Sequence, residues 1–149
     1  MTIIADTSCL ILLFKIGEFE VLKGLYGEVI ITSIIAEEYG MDLPLWIKVI
    51  DPINRELQNK LNETVNIGEA SAIALAIELK DCKLILDDKP ARKLALDLGL
   101  VFTGTLGVLI EAKKHGLIPA IKPLFDKIEL TNFHYTPEFL QRLLDSVGE

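Results

Sequence analysis

The sequence predicts an α/β fold in which a central, mostly parallel sheet is covered by helices on both faces. Short strands alternate with helical segments of about 10 to 15 residues, the spacing that parallel strands need for their connections. The strands are apolar at nearly every position, which is typical of strands buried on both faces. Half of the 149 residues are apolar, so we expect one domain over residues 1–149 with a full core.

The first half of the chain gives three strands and four helices. The strands are short apolar runs, and the helices carry apolar residues at helical spacing. Thr32 or Ser33 can cap the third helix. The predicted order is strand 2–5, a helix ending near 17, helix 19–25, strand 28–31, a helix to about 39, an extended piece 47–50 and helix 54–61.

The second half repeats this alternation and ends in helices. Asn66 can serve as the N-cap of a long helix, and Asp88 can cap another that carries Pro90 in its first turn. Gly99 is a natural helix end. The predicted order is helix 67–80, strand 83–86, helix 89–99, strand 101–103, helix 104–115 and two C-terminal helices within about 119–149, the second capped by Thr136.

Composition sets limits on location and partners. The chain begins without a basic stretch, and its apolar run 9–14 is far shorter than the roughly 20 residues that span a bilayer, so we expect a cytoplasmic protein with no membrane segment. Cys9 and Cys82 lie in apolar segments without metal or redox spacing and should be core residues. The net charge of −7 argues against a protein that binds nucleic acid mainly through an overall excess of Lys and Arg.

Acidic residues follow the apolar segments in four places. Asp6 comes directly after the first strand, and Asp87 with Asp88 comes after the strand at 83–86. The carboxyl ends of parallel strands meet at one edge, where α/β proteins bind ligands, and Glu38 and Glu69 would approach that edge on helices. Because gathered carboxylates repel one another unless a cation joins them, we predict a site for Mg²⁺ or Mn²⁺.

Each acid also has a purely structural interpretation. Asp6 and Asp88 lie at helix N-cap positions, where Asp is favoured. Glu69 lies in a first turn, where the helix dipole favours negative charge, and Glu38 fits a solvated helix face. A cap needs only one acid, however, so Asp87 is left over. The recurrence of acids at several segment ends favours the metal site.

An oxygen-only cation site points to phosphoryl chemistry, in which the metal activates water and offsets phosphate charge. Lys89, Arg92 and Lys93 share one helical face just beyond Asp88 and could hold a polynucleotide backbone; a solvated basic face is the alternative. His115 and His134 have no partner at ligand spacing, so zinc is poorly supported and both should lie at the surface.

The order of motifs resembles that of PIN-domain proteins. The motifs are Asp-x-Ser after the first strand, TSIIAEEY, GEASAIALA, LILDDKPARKLA and GTLGVLIEAKKHGLIPAIKPLFDKI, and the similarity to a VapC-like prokaryotic subfamily runs over nearly the whole chain. The resemblance implies a three-layer α/β/α sandwich and Mg²⁺ or Mn²⁺ bound by clustered acids. Many members are ribonucleases, and many small ones are toxins of toxin–antitoxin pairs.

When the resemblance is applied residue by residue, Asp6, Glu38 and Asp88 match the first three acids of the PIN-domain pattern. It adds Asp87 as an extra ligand or supporting group and Glu69 as a further ligand.

The resemblance also has a gap. Ser8 falls where the family has a small hydroxyl residue near the metal, whereas the fourth acid of the commonest toxin pattern has no counterpart in VFTGTLG. Thr105 could fill part of that gap through its hydroxyl or a bound water. Leu86 also replaces the Thr that usually stands two residues before the third acid.

These observations predict a metal-dependent endoribonuclease that leaves 3′-hydroxyl and 5′-phosphate ends, as the resemblance implies, with an antitoxin as a possible partner. One alternative is a degenerate PIN domain that only binds RNA or protein. Another is a phosphatase of the haloacid-dehalogenase type, which would need an Asp where Ser8 stands. The very apolar stretch 9–22 also suggests a homodimer.

Overall fold

The computed structural model describes residues 1–149, and its chain forms a five-stranded, all-parallel sheet flanked by nine helices. The strands are β1 (Thr2–Ala5), β2 (Val29–Ile31), β3 (Ile47–Val49), β4 (Cys82–Ile85) and β5 (Val101–Thr103). The helices are α1 (Thr7–Lys15), α2 (Val21–Tyr26), α3 (Ser33–Tyr39), α4 (Arg55–Leu61), α5 (Ile67–Leu79), α6 (Lys89–Asp97), α7 (Thr105–Lys114), α8 (Lys122–Glu129) and α9 (Pro137–Ser146).

The strand order β3-β2-β1-β4-β5 puts the first strand at the centre. The chain steps outward from β1 to β3, then crosses back to β4 on the other side of β1. Because parallel crossovers are right-handed, this reversal places α1 and α2 on one face and α4 and α5 on the other. The result is the predicted three-layer α/β/α sandwich. The reversal also makes the carboxyl ends of β1 and β4 the topological switch point of the sheet.

Helix α5 is the most deeply buried helix of the sandwich. It packs against β1, β4, α3 and α4, and its inner turns are almost fully excluded from solvent at Ala70, Ala72, Ile73, Ala74, Leu75 and Ala76. The many alanines let the helix approach the sheet closely, which compensates for their small apolar area. This packing fixes the N-terminal turn of α5, and with it Glu69, beside the carboxyl edge of the sheet.

The predicted helix caps are present. The side chains of Thr32, Asn66, Asp88 and Thr136 each accept a hydrogen bond from the backbone N–H three residues later, at 3.3, 2.9, 3.3 and 3.2 Å. Each bond satisfies one of the N–H groups that a helix start leaves without an intrahelical partner. Most predicted boundaries lie within one residue of those observed.

Two elements differ from their predicted boundaries for identifiable reasons. Strand β4 begins and ends one residue earlier than predicted, because Cys82 pairs with Thr2 at the start of β1. Helix α2 begins at Val21 rather than at Phe19. The Phe19 ring lies 5.8 Å from that of Tyr39 and packs outside the helix.

Most apolar side chains of the stretch that suggested a homodimer are buried within the single chain. Helix α1 packs against α3 and α7, and Cys9, Leu10, Leu12 and Leu13 are each at most 1% exposed, whereas Phe14 is exposed. The homodimer therefore stays a prediction without this support. Both cysteines are buried and unpaired, as expected. None of the nine helices combines the length and the apolar character needed to cross a bilayer.

Candidate active site

Two neighbouring strands deliver acids to the carboxyl edge of the sheet. Asp6 follows β1 directly, and its backbone N–H donates a hydrogen bond of 3.2 Å to the carbonyl of Ile85, the last residue of β4. Asp87 and Asp88 then follow β4 after one further residue. Asp6 is 4% exposed, whereas Asp87 is half-buried and Asp88 is exposed. The sheet register therefore fixes these three acids at the switch point.

Glu38 approaches the same edge from α3. Its Oε1 atom accepts a hydrogen bond of 2.7 Å from the hydroxyl of Thr7, the first residue of α1. Its carboxylate also lies against Gly68 in the first turn of α5, so closely that a Cβ atom at that position would collide with it. Glu38 is thus held between the starts of α1 and α5, and the absence of a side chain at Gly68 makes the space.

Glu69 approaches from the first turn of α5 and is 3% exposed. It forms a capping box, because its Oε1 accepts from the backbone N–H of Asn66 at 3.3 Å while Oδ1 of Asn66 accepts from the Glu69 N–H at 2.9 Å. The hydroxyls of Thr32 and Ser71 lie 2.7 Å apart in the core and join the start of α3 to α5. The helices that carry Glu38 and Glu69 are therefore linked.

The gathered acids alter one another's ionisation. The pKa of Asp6 is raised to about 6, chiefly by burial; the charges of Glu38, Asp87 and Asp88 act in the same direction, and the hydrogen bond from the Thr7 N–H opposes them. Burial likewise raises the pKa of Glu69 to about 7, with Asp6, Asp88 and Glu38 contributing in the same direction. Acids from four segments of the chain therefore interact across one small region, as like charges in partly buried sites do.

Each of these carboxylates nevertheless has a hydrogen-bond donor of its own. Asp87 accepts from the backbone N–H of Thr105 at 2.8 Å and from its hydroxyl at 2.5 Å, and Asp88 caps α6. No three His, Cys, Asp or Glu side chains are arranged so that together they could hold a metal ion as they stand. The capping interpretation of Asp6, Asp88 and Glu69 thus holds alongside their convergence.

The donor set still fits a hard divalent cation. It consists of carboxylate oxygens, which Mg²⁺ and similar ions prefer. Two of its members, Asp6 and Glu69, are buried, and their pKa values are raised by burial first and by the repulsion of nearby negative charges second. A cation would relieve that repulsion.

The two predicted hydroxyl residues both lie near the acids. Ser8 is partly buried and borders a depression together with Asp87 and Asp88. Thr105 is fully buried at the start of α7. Its hydroxyl and N–H both point to Asp87, so Thr105 orients an acid that is present.

The three basic residues predicted to bind the polynucleotide backbone do not all face the same region. Lys89 and Arg92 border a cleft beside Asp87. Lys93 instead is exposed and donates to Asp97 on its own helix at 3.2 Å. The structure thus brings Lys89 and Arg92 together beside Asp87 and leaves Lys93 out, because the next turn of α6 offers Lys93 an acid of its own. That these residues hold nucleic acid stays a prediction.

The sequence interpretation did not include two features of this region. One is Thr7, whose contact with Glu38 depends on how α1 and α3 pack. The other is the segment before α9, where Asn132, Phe133, His134 and Tyr135 border the depression next to Asp88. No spacing signal could have revealed either, since each depends on contacts between distant parts of the chain. His134 and His115 are both exposed, as expected.

A parallel α/β/α sandwich with acids from several segments at the carboxyl edge of its sheet is suited to metal-assisted hydrolysis of phosphate esters. The family model DUF3368, a PIN domain, matches residues 2–149, and the chain belongs to this family. No curated protein matches the chain. PIN domains are generally nucleases, which are hydrolases, and generally use divalent metal ions and nucleic-acid substrates.

Proposed function

We propose that this protein is a metal-dependent endoribonuclease. One observation carries the proposal: Asp6 and Glu69 are buried beside other carboxylates brought from distant segments to the same edge of the sheet, and the pKa of each is raised by burial first and by those carboxylates second. A fold that keeps such repulsion in its interior loses stability unless a bound cation offsets it. The PIN-domain family makes nucleic acid the expected substrate.

The proposed ligands of Mg²⁺ or Mn²⁺ are Asp6, Glu38, Glu69 and Asp88, with Asp87 as a further ligand or supporting group. Asp6 and Glu69 are fixed by burial, whereas Glu38 and Asp88 are exposed and can change rotamer to complete a site. The bound ion would activate the attacking water and offset charge on the phosphodiester.

The remaining residues would position these groups. Thr7 holds Glu38, and Thr105 holds Asp87, each through a hydroxyl that donates to the carboxylate. Ser8 borders the same depression and could contact the substrate or a bound water. Lys89 and Arg92 would attract the phosphate backbone towards an edge that is otherwise acidic.

A second candidate is a domain that binds RNA or a protein partner without cutting. The absence of a fourth acid in the segment 101–107 favours it, since Thr105 there supplies a donor to Asp87 rather than another ligand. Calorimetric titration with Mn²⁺ distinguishes the two candidates. The nuclease should bind the ion, and Asp6→Asn should weaken that binding.

The role of the activity in the cell is part of the same proposal. A ribonuclease of this family could serve as the cytoplasmic toxin of a type II toxin–antitoxin pair, with a cognate antitoxin as partner and a homodimer as the active form. A neighbouring reading frame that encodes a small DNA-binding protein would support this role. Light scattering at the mass of one 16.6 kDa chain would exclude the homodimer.

The direct test is cleavage of RNA and of matched DNA in Mn²⁺ by the wild type and by Asp6→Asn. Asparagine keeps the oxygen that accepts from the Thr7 N–H, so the fold should survive. Cleavage should fall by a factor of roughly 100 or more. Asp81→Asn is the matched control, because Asp81 is an exposed acid at the opposite edge of the sheet. Equal activity of Asp6→Asn and wild type would refute the assignment.

A further inference from the structure

A cleft of about 500 Å³ opens between α6 and the segment that leads into α9, next to the acids. Its volume lies in the range that accommodates one small-molecule ligand or one nucleotide. The residues that matter for its chemistry are Lys89 and Arg92 on one side and His134, Tyr135, Phe139 and Arg142 on the other.

The cleft concentrates positive charge in an acidic protein. Lys89, Arg92 and Arg142 all border it, although the chain has a formal charge of −7. Asp87 is the one carboxylate on its wall, and both oxygens of Asp87 already accept hydrogen bonds from Thr105. An anionic group would therefore find three cations here.

Two of these cations, Arg92 and Arg142, contact aromatic rings. The guanidinium of Arg92 lies 5.1 Å from the centroid of the Phe102 ring, and that of Arg142 lies 5.9 Å from the centroid of Phe139. Such contacts orient the guanidinium group while leaving its N–H donors free for a phosphate.

The same wall offers a surface for a base. The rings of Tyr135 and Phe139 have centroids 6.3 Å apart and are tilted by 32°, and Phe139 is 37% exposed. Aromatic rings that stand in a basic groove stack bases of any sequence. Cations and partly exposed rings together favour a nucleotide over an anion that lacks a flat ring.

The cleft is continuous with the acid cluster. Asp87, His134 and Tyr135 border the cleft and also border the depression that contains Ser8 and Asp88. A strand whose phosphodiester lies at the acids can therefore extend into the cleft without leaving the surface.

We propose that this cleft binds one nucleotide of single-stranded RNA next to the phosphodiester that is cut. Lys89 and Arg142 hold its phosphate, and its base stacks on Phe139 and Tyr135. The inference rests on the proposed ribonuclease function but concerns substrate binding alone. A paired strand would not present its bases to these rings, so single strands should bind more tightly than duplexes.

Binding can be tested separately from cleavage. We would measure the affinity of a short fluorescein-labelled single-stranded RNA by anisotropy at low salt in excess EDTA, so that the strand stays intact. Arg142→Gln and Phe139→Ala should each weaken binding roughly fivefold or more. Lys48→Gln and Phe14→Ala are the matched controls, because Lys48 lies on the opposite edge strand β3 and Phe14 is an exposed phenylalanine on α1. Both controls should stay within about twofold of wild type.

The outcomes separate the two proposals. If wild type cuts RNA but Arg142→Gln and Phe139→Ala bind as wild type does, the cleft proposal is overturned and the nuclease stands. If the two variants lose binding while wild type cuts nothing, the cleft stands and the nuclease falls. Displacement of the RNA by adenosine 5′-monophosphate at lower concentration than by inorganic phosphate would support stacking. No binding of RNA by wild type, or preferential binding of an acidic polyglutamate peptide, would overturn the cleft proposal.

Discussion

The hydroxyl of Thr7 donates a hydrogen bond of 2.7 Å to Oε1 of Glu38, and so joins the first turn of α1 to the last turn of α3. Thr7 is separated from the buried Asp6 by a single peptide bond. The pair Asp6–Thr7 therefore contributes the buried carboxylate of Asp6 and also holds the exposed carboxylate of Glu38. Glu38 depends on this contact for its orientation, because the hydroxyl of Thr7 is its hydrogen-bond donor and Gly68 offers only a surface against which its carboxylate packs.

Thr7→Val should weaken the proposed activity through Glu38. Valine keeps the shape of threonine but removes the donor, so Glu38 would lose its orientation. Groups that orient metal ligands typically contribute 10- to 100-fold to affinity or activity, and we expect a loss in this range in the Mn²⁺-dependent cleavage rate and in Mn²⁺ affinity. Thr7→Ser restores a hydroxyl and should recover most of both. Failure of serine to differ from valine would show that the contact is irrelevant.

Gly68→Ala should separate stability from function. Its new methyl group would meet the carboxylate of Glu38, which is the movable end of a flexible side chain, so the fold should tolerate the change. Alanine also favours a helix more than glycine does, by up to about 1 kcal/mol. We expect an unchanged or raised melting temperature together with reduced Mn²⁺ affinity.

The control for this substitution is Gly24→Ala in α2, where the added carbon would meet only the end of the Leu117 side chain. Gly24 lies on a helix that packs against α7, away from the acids. Its activity should stay at the wild-type level. Full Mn²⁺ affinity in Gly68→Ala would contradict the proposed role of Glu38.

Removal of divalent ions should destabilise the wild type, and neutralising a buried acid should restore stability. Because the pKa of Asp6 is raised to about 6, its ionised form at neutral pH costs the fold about 1 to 3 kcal/mol. In EDTA at neutral pH, Asp6→Asn should therefore melt about 3 °C or more above wild type. Added Mn²⁺ should raise the melting temperature of wild type and leave that of Asp6→Asn nearly unchanged. A wild type that melts identically in EDTA and Mn²⁺ would argue against the metal site.

Glu149 should make stability depend on acid pH. Burial opposes its ionisation, but hydrogen bonds from Lys113 and from the backbone N–H groups of Ile121 and Lys122 outweigh that effect and lower the pKa of Glu149 to about 2. The stabilisation is complete above the ordinary carboxyl pKa of about 4.3 and is lost as the pH falls towards 2, since the unfolded chain takes up its proton first.

Glu149→Gln removes this charge and should lower the free energy of unfolding at pH 7 by about 0.5 to 1 kcal/mol, since Glu149 is an exposed residue and solvent screens its charge. The difference from wild type should shrink as the pH falls towards 2. Urea denaturation at several pH values measures both effects. Glu28→Gln, at an exposed position, is the control and should match wild type throughout. A constant difference at all pH values would mean that packing, and not ionisation, is responsible.

The sequence predicted the features that depend on local chemistry. Strands with apolar runs, caps such as Asn66 and Thr136, and the reversal at Gly99 are decided within a few residues, and all are present. The edge position of Asp6 and Asp88 also followed, because parallel strands put their carboxyl ends together whatever their exact register.

Features that depend on packing between distant segments could not be predicted in this way. Helical spacing grouped Lys93 with Lys89, but the same spacing also pairs Lys93 with Asp97, and that pair forms. The approach of Tyr135 to Asp87 depends on where the segment between α8 and α9 packs. Individual hydrogen-bond partners of the acids likewise require the orientation of whole helices.

The buried pairing of Thr32 with Ser71 has a consequence for any attempt to redesign this face. Ser71 also donates to the carbonyl of Gly68 within α5 at 2.7 Å, so the start of α3 is tied to the residues that carry the first turn of α5. If α3 were replaced by the corresponding helix of another PIN domain and α5 were kept, Glu38 on α3 and Glu69 on α5 would both be misplaced. The two helices would therefore have to be exchanged together. New specificity is better sought on the side of the cleft that α9 forms with Phe139 and Arg142.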